Sequence, residues 1–261
     1  MISLSTHDLT IDLGGRTVLR SISFTVPAGG ITAIVGPNGS GKSTLLRAFA
    51  SIVQPSAGQV RLDGQDLRNI RPRSRARQIA FLRQNPQAPE GLRVRSLVER
   101  GRAPHQGRWG ILSKADQEAV DGAMARVGIA DLQDRVVTDL SGGQQQRAWI
   151  AMALAQDTAG LLLDEPTTFL DPAHQLEILN LLTRLKREDR RTIVMVLHDI
   201  NLASVFADTI VGVRQGGLVF VTGPDRQLSS DMIQDLFDID MLQIEHPTEN
   251  APLFLSRRES A

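Results

Sequence analysis

The 261-residue sequence contains no cysteine and no tyrosine, has a net charge of zero, and has only short apolar runs. The absence of cysteine excludes disulfides and thiolate metal sites and fits a reducing compartment. Balanced charge, with 29 basic and 29 acidic residues, gives no general attraction to nucleic acid. The apolar runs fall far short of the roughly 20 residues of a membrane span, and the N-terminal sequence lacks an export-signal pattern. We therefore expect a soluble, cytosolic protein.

Charge is nevertheless unevenly distributed along the chain. Residues 61–108 contain twelve arginines and four acids, whereas residues 225–261 contain eight acids and three arginines. A solvated face is the simpler interpretation of each stretch. The alternative for the basic stretch is a surface close to anionic lipid headgroups or to an acidic partner.

Hydrophobic patterning predicts an α/β fold. Short alternating runs broken by glycine predict an antiparallel β hairpin or meander in the first 30 residues. Continuous apolar runs predict buried strands at 31–35, 77–84, 160–163, 192–197 and 209–213, and helical spacing predicts helices at 43–52, 172–187, 200–207 and 230–236. Alternating strands and helices indicate a mostly parallel sheet with flanking helices.

The pattern becomes helical between residues 89 and 157. Helices are expected at 95–101, at 113–128, and from the segment LSGGQQQR (140–147) to about residue 157. Ser113 and Asp116 are spaced as a capping box, and Gly128 is a helix stop. The sequence therefore predicts a single domain (1–261), in which an α/β core with an N-terminal antiparallel β subdomain (1–88 and 158–261) is interrupted by an α-helical subdomain (89–157).

A phosphate-binding loop lies between a predicted strand and a predicted helix. It matches G-x-x-x-x-G-K-[ST] and comprises Gly36, Pro37, Asn38, Gly39, Ser40, Gly41, Lys42, Ser43 and Thr44. Glycines let backbone N–H groups surround phosphates at the positive end of a helix dipole. Lys42 is expected to reach the β- and γ-phosphates and Ser43 to offer its hydroxyl to Mg²⁺. The alternative is a glycine-rich turn followed by a chance Lys-Ser.

Two acids follow the buried strand GLLL, at the edge of the sheet where ligands bind in open α/β folds. Asp164 is suited to hold Mg²⁺ through water, and Glu165 is suited to polarise an attacking water. An acid pair after an apolar run is by itself more often a helix start. Together with the glycine loop, the pair indicates nucleotide hydrolysis.

Two further polar residues also end predicted strands. His198 follows TIVMVL, where strand order would bring it beside the glycine loop and within reach of the γ-phosphate. Gln84 ends the strand QIAFLR, where an amide can contact both metal and water. Each alone is more often a locally bonded or surface residue, and Asp199 is interpreted as the cap of the next helix.

The segment LSGGQ (140–144), called here the signature segment, is a second glycine-rich helix start, but it has no lysine. Ser141 is a natural N-cap, and Gly142 and Gly143 expose helix-start amides to an anion. Such a half-site needs a nucleotide that is held elsewhere. Two copies packed head to tail around a two-fold axis satisfy this need, each lending its signature segment to ATP bound by the other.

These motifs, with TTFLD (167–171), resemble the ATP-binding-cassette ATPase family in order and spacing over nearly the whole chain. The resemblance implies an ATP-sandwich homodimer using ATP and Mg²⁺. It implies Glu165 as general base, His198 as switch histidine, Gln84 as the link between nucleotide and partner, and Asp171 in the loop at the dimer interface. Ser141, Gly142, Gly143 and Gln144 would contact the partner's ATP, and Ser43, Gln84 and Asp164 would form the Mg²⁺ site.

A finer resemblance lies in LRVRSLVERGRAPHQG (92–107) and TTFLDPAHQLEIL (167–179). Both are similar to ATPases of iron–siderophore importers, close relatives of those for haem and cobalamin. This implies that membrane permease subunits are direct partners and that a substrate-binding protein is an indirect partner. It also implies a location at the cytoplasmic face of the membrane. His105 is interpreted as structural, and a ligand role for His174 is not expected.

One position departs from the family pattern. The family usually stacks adenine on an aromatic residue before the first hairpin turn, and here the matching residue is Leu13. Adenine is then expected to contact aliphatic side chains, with Leu13 and Val18 on its side of the site, because Trp109 and Trp149 fall in the helical region. Weak discrimination between bases follows.

Two other classes of function remain as alternatives. A cytosolic cassette ATPase acting on nucleic acid or ribosomes commonly has tandem cassettes or coiled-coil inserts, and this chain has neither. A small-molecule kinase with a P-loop would leave the signature segment and Glu165 unexplained.

Overall fold

The computed structural model describes residues 1–107, 110–224 and 226–256. The chain divides into two compact units, the first formed by Met1–Asn69 with Thr192–Ala261 and the second by Ile70–Arg191. Trp109 and the outer ends of the charged stretches (108, 225 and 257–261) lie outside the described residues. Within the described part of the chain, no helix has both the length and the apolar character needed to cross a bilayer.

The described residues form twelve strands and eight α-helices. The strands are β1 (Leu4–Leu13), β2 (Arg16–Val26), β3 (Ile31–Val35), β4 (Ala57–Leu62), β5 (Gln65–Asp66), β6 (Ile79–Leu82), β7 (Gly160–Leu163), β8 (Thr192–Val196), β9 (Thr209–Arg214), β10 (Gly217–Val221), β11 (Met241–Glu245) and β12 (Pro252–Ser256). The helices are α1 (Lys42–Phe49), α2 (Pro72–Ala76), α3 (Val94–Glu99), α4 (Lys114–Val127), α5 (Gly142–Ala155), α6 (Pro172–Asp189), α7 (Ile200–Phe206) and α8 (Ser230–Phe237).

The first unit contains the N-terminal antiparallel sheet that the sequence predicts. Its strand order is β2-β1-β4-β5, and β1 and β2 are joined at the Gly14-Gly15 turn, where both glycines have positive φ. Glycine adopts this backbone conformation without steric cost, which explains why the turn falls there. Leu9, Ile11 and Ile22 from this hairpin are fully buried, so the alternation of apolar and polar residues marks one face packed in a core.

A second sheet in the first unit carries the glycine loop. Strand β3 lies between β8 and β9 and is parallel to both, and β10 adds an antiparallel edge. All residues of β3 and β8 are buried, as expected of continuous apolar runs in a parallel sheet covered on both faces. Strands β11 and β12 pair with each other as a separate hairpin.

The second unit combines a parallel strand pair with helices. Strands β6 and β7 pair in register, with Leu82 opposite Leu163. Helix α4 has Ser113 and Asp116 as a reciprocal capping box and ends at Gly128 in the left-handed conformation, so its predicted limits are confirmed. Helix α5 begins after Ser141, and α6 begins after Asp171, with Pro172 at its first position.

A buried ion pair ties the turn after α3 to the start of α4. Arg102 Nε donates to Asp116 Oδ1 at 2.8 Å, and Arg102 Nη1 donates to the carbonyl of Ala155 at 2.7 Å. The hydroxyl and backbone N–H of Ser113 donate to Asp116 as well. These donors, with those of Ser113 foremost, lower the pKa of the Asp116 carboxyl from 3.8 to about 2.

The predicted fold class is confirmed: an α/β protein with parallel strands, helices and an N-terminal antiparallel sheet. The short helix α2 and the edge strand β10 have no counterpart in the predicted elements. The predicted helix at 95–101 is α3 followed by a 3₁₀ turn at Arg100–Arg102. The proposed boundaries of the helical subdomain, at 89 and 157, stay a prediction.

Candidate functional site

The glycine loop connects β3 to α1 in the first unit, and its glycines are required by geometry. Gly36, Gly39 and Gly41 all have positive φ. A Cβ on Gly36 would lie 2.0 Å from the carbonyl oxygen of Val213, and one on Gly41 would lie 2.5 Å from Leu19 Cδ2. Only glycine fits either position without moving its neighbour. The loop therefore has the compact backbone path of a phosphate cradle.

The lysine of the loop is buried inside it. Lys42 is the first residue of α1, and its Nζ donates to the carbonyls of Gly36 at 2.8 Å and Pro37 at 2.9 Å. The hydroxyl of Ser40 is buried and has no hydrogen-bond partner among the described residues. An ammonium held by neutral carbonyls and a buried hydroxyl lacking a partner both fit an arriving phosphate.

The remaining loop residues line the open side. Asn38 and Gly39 are exposed, and Ser43 and Thr44 are half-buried in the first turn of α1. A Cβ on Gly39 would meet nothing within 4 Å. The loop therefore leaves space above its backbone for a ligand.

His198 lies after the strand next to the loop. Strand β8 pairs in parallel with β3, with Ile34 opposite Val196, so His198 and Gly36 follow the carboxyl ends of adjacent strands, as the strand-order argument expects. His198 is exposed. Asp199 caps α7 by accepting from the N–H groups of Asn201 and Leu202.

Gln84, Asp164 and Glu165 are gathered in the second unit, at the carboxyl ends of β6 and β7. Asp164 is only 1% exposed, and its N–H donates to the Leu82 carbonyl at 2.8 Å. Glu165 adopts a positive φ of 53°, which is uncommon for a non-glycine residue. Gln84 Nε2 donates to Glu165 Oε2 at 2.5 Å.

Thr168 is a contact of Glu165 that the sequence analysis missed. Its hydroxyl donates to Glu165 Oε2 at 3.0 Å, and its N–H donates to the Glu165 carbonyl at 3.3 Å. Both bonds close the four-residue turn 165–168. The sequence signal for Thr168 is its position in D-E-P-T-T, where its hydroxyl follows the candidate base by three residues.

A cavity of about 120 Å³ in the second unit joins these residues to the start of α5. Its lining includes Gln84, Asp164 and Glu165 together with Gly142 and Trp149. Gln84 and the two acids that follow β7 therefore share one cavity with a glycine of the signature segment. Trp149 itself is buried, 9% exposed, and packs in α5.

The signature segment has the reciprocal capping box of a helix start. Ser141 Oγ accepts from the N–H of Gln144, and Gln144 Oε1 accepts from the N–H of Ser141. The N–H groups of Gly142 and Gly143 belong to the first turn, where no helical carbonyl is available to them. The segment is thus ordered as a donor surface, with Ser141 and Gly142 exposed and Gly143 buried.

Asp171 caps the next helix, α6. Its carboxylate accepts from the backbone N–H of His174 at 3.0 Å and from the His174 ring Nδ1 at 2.8 Å. These two hydrogen bonds hold the pKa of Asp171 below its usual range, the backbone bond being the larger cause. His105, interpreted as structural, places its Nε2 2.8 Å from the carbonyl of Gln156.

The predicted adenine side lies on the first hairpin. Leu13 pairs with Arg16 at the end of β1 and is 43% exposed, and Val18 is half-buried in β2. Val18 also lies beside the glycine loop, since its carbonyl oxygen would lie 3.2 Å from a Cβ on Gly41. Both positions on the predicted adenine side therefore carry aliphatic side chains and no aromatic ring.

A strand, a glycine loop and a helix that starts at a buried lysine define a P-loop nucleotide-binding protein. The family model described as ABC transporter matches residues 19–168. That range includes the glycine loop, Gln84, the signature segment and both acids after β7. By this match the chain belongs to the ABC transporter family.

Individual relatives cover nearly the whole chain. The iron(3+)-hydroxamate import ATP-binding protein FhuC of Bacillus subtilis is 43% identical over 98% of this chain and 95% of its own length. The ferric enterobactin transport ATP-binding protein FepC of Escherichia coli is 43% identical over 95% of this chain and 91% of its own. A solved ABC transporter of metal-chelate type, in an inward-facing conformation, superposes with a TM-score of 0.86 at 26% identity over 99% and 98% of the two chains.

Proposed function

We propose that this chain is the ATP-hydrolysing subunit of an ABC importer for ferric siderophores, working as a homodimer that encloses two ATP molecules. The observation that carries the proposal is the pairing of two unlike phosphate sites in one chain. One is the glycine loop with its buried Lys42, and the other is the capped, lysine-free signature segment. The similarity to subunits named for iron–hydroxamate and ferric enterobactin transport supports the choice of cargo.

In this proposal the glycine loop binds the triphosphate. Backbone N–H groups of residues 36–44 surround the phosphates, and Lys42 exchanges its two carbonyl contacts for β- and γ-phosphate oxygens. The donor set for Mg²⁺ consists of the Ser43 hydroxyl, the Gln84 amide oxygen and the Asp164 carboxylate, all oxygen ligands of the kind that this ion prefers. Bound Mg²⁺ would neutralise charge on the phosphates.

Glu165 is the proposed general base, accepting a proton from the attacking water. Gln84 and Thr168 both donate to its Oε2, which fixes the plane of the carboxylate before the nucleotide binds. His198, which follows β8, is proposed to contact the γ-phosphate. Leu13 and Val18 are proposed to face the base.

The second phosphate site is proposed to act on the partner copy. Ser141, Gly142, Gly143 and Gln144 would approach the γ-phosphate bound by the other copy's glycine loop, and Asp171 would lie at the interface between the two copies. A helix start favours anions through its N–H groups and dipole. ATP then joins the copies, and its hydrolysis releases them.

The dimer is proposed to lie at the cytoplasmic face of the membrane and to drive membrane permease subunits. Through the permease it would act indirectly with a substrate-binding protein. Residues 84–107 are the proposed link to the permease. Arg71, Arg73 and Arg77 in the basic stretch are exposed, which suits a position close to lipid headgroups. No nucleic acid takes part.

The test is uptake by the chain reconstituted in proteoliposomes with the permease subunits and the substrate-binding protein that co-purify with it. We expect ATP-dependent accumulation of a radioactive iron–siderophore complex that exceeds accumulation of haem or cobalamin. Transport of haem or cobalamin alone would correct the cargo and keep the ATPase assignment. Stimulation of hydrolysis by DNA or RNA, without any association with a permease, would contradict the importer assignment.

A further inference from the structure

The ring of His174 lies between the signature segment and Asp171. A Cβ placed on Gly143 would come within 2.4 Å of His174 Cδ2, 3.0 Å of Cγ and 3.1 Å of Nε2. The other side of the ring bonds to Asp171, with Nδ1 2.8 Å from Oδ2. One side chain therefore contacts both segments that the proposed function places at the partner's ATP.

The contact with Gly143 is possible only because that residue has no side chain. Real Cβ atoms essentially never approach another heavy atom at 2.4 Å, so alanine at 143 would displace the ring. Close packing of this kind fixes position through many small attractions and a steep repulsion. Gly143 thus supplies a helix-start N–H and also the space in which the ring of His174 lies.

The same two helices are joined again one turn further along. Arg147 Nη2 donates to Glu177 Oε2 at 2.6 Å, and Arg147 Nη1 donates to the Val127 carbonyl at 3.1 Å. Arg147 follows Gly143 by four residues and Glu177 follows His174 by three, so both pairs lie on the facing sides of α5 and α6. Both side chains of this ion pair are partly exposed, so the pair contributes little stability.

We infer that His174 is a positioning residue for ATP hydrolysis, which holds the start of α5 and the cap of α6 in one fixed relation. The inference rests on the proposed function, because it assumes that the signature segment and Asp171 act at the partner's nucleotide. His174 acts through Gly143 and Asp171 and not by contact with ATP. The two segments consequently move as one piece when the copies close.

The inference is tested with three variants in the full chain. His174→Ala removes both contacts, His174→Asn keeps a short donor for Asp171, and His174→Phe keeps a ring against Gly143. His7→Ala, which alters an exposed histidine of β1, is the matched control. For each, we would measure kcat and KM for ATP, nucleotide affinity of the monomer, and ATP-dependent dimerisation in a Glu165→Gln background.

We expect His174→Ala to lower kcat by about 10- to 100-fold, because misplacing a positioning group by about 1 Å costs about that much. Monomer affinity for ATP should stay within about twofold, since the glycine loop is unaltered, and the dimer should weaken. His174→Asn and His174→Phe should each recover part of kcat. His7→Ala should match the original chain.

Three results would overturn the inference. The first is an unchanged kcat and dimer in His174→Ala, and the second is equal loss of monomer ATP affinity and of kcat, which indicates general unfolding. The third is failure of both His174→Asn and His174→Phe to recover any activity although they fold. If the original chain neither hydrolyses ATP nor dimerises, the proposed function itself is wrong, and this result is distinct from the three that concern His174.

Discussion

Gln84 Nε2 donates a 2.5 Å hydrogen bond to Oε2 of Glu165, joining residues 81 positions apart. The two side chains follow adjacent parallel strands, β6 and β7. With the Thr168 hydroxyl on the same oxygen at 3.0 Å, the carboxylate is oriented by two donors. An oriented carboxylate after a buried strand is the arrangement that a proton acceptor requires.

Replacing that carboxylate tests its role. Glu165→Gln should lower phosphate release by about 10²- to 10⁴-fold, the usual contribution of a general base, and should preserve ATP-bound dimers, since glutamine keeps the shape and loses the basicity. Phosphate release and light scattering after size-exclusion chromatography measure the two effects. Glu118→Gln, an exposed acid of α4, is the control. Hydrolysis at the original rate would refute the assignment.

The signature segment is tested at its cap. Ser141→Arg should abolish hydrolysis by filling the space in front of Gly142, while nucleotide binding to the monomer stays intact. Ser113→Arg is the matched control, because Ser113 forms the same capping box on α4. Each change removes a cap worth about 1 kcal/mol, and Ser113→Arg also removes a hydroxyl that donates to Asp116. Normal hydrolysis in Ser113→Arg would therefore show that losing a cap does not by itself abolish hydrolysis. Loss of monomer binding in Ser141→Arg would argue against a site that serves the partner.

The hydrogen bonds that Ser113 and Arg102 donate to Asp116 predict a pH-dependent loss of stability. The pKa of Asp116 falls from 3.8 to about 2 on folding, so its contribution is present above about pH 4 and is lost as the pH falls from about 4 towards 2. At about 1.4 kcal/mol per pH unit, it amounts to about 2 kcal/mol. The side chain is 8% exposed, so solvent screens it little.

Denaturant unfolding at pH 7 and at pH 3 measures this effect. Asp116→Asn should reduce the free energy of unfolding by about 2 kcal/mol at pH 7 and by less at pH 3. Asp131→Asn, which alters an exposed carboxyl of the same unit, is the control and should show no such trend. An equal deficit at both pH values would show that the ionised form of Asp116 is not what stabilises the unit.

Base selectivity is tested at the end of the first hairpin. With Leu13 in place of an aromatic residue, ATP and GTP should bind the Glu165→Gln variant with similar affinity. Leu13→Tyr should strengthen ATP binding about fivefold, since stacking contributes about 1 kcal/mol. Ile52→Tyr adds a tyrosine at another exposed position and should change nothing. A preference for ATP of about a hundredfold or more in the original chain would contradict the prediction.

Local signals explain what could be predicted from sequence. The limits of α4 depend on Ser113, Asp116 and Gly128, which lie within the helix or beside it, so spacing alone determines them. The glycine loop is likewise a continuous run whose backbone angles follow from its residue types. Asp199 is a third residue whose role could be predicted from local sequence. It caps a helix by accepting hydrogen bonds from two neighbouring N–H groups.

Contacts between distant segments could not be predicted in this way. The Gln84–Glu165 bond and the Arg102–Ala155 bond depend on how strands and helices are packed, which a pattern of apolar residues does not specify at the level of side chains. His174 illustrates the same point. Its sequence context does not indicate this position, and only the close approach of the starts of α5 and α6 places its ring beside Gly143.

The proposed contact of Leu13 with the base bears on which nucleotides drive transport. An importer whose nucleotide site accepts guanine as readily as adenine would draw on the whole purine triphosphate pool of the cell. Iron uptake would then continue through a fall in ATP for as long as GTP remained abundant. Leu13, the exposed last residue of β1, would then decide how closely iron acquisition follows the energy charge of the cell.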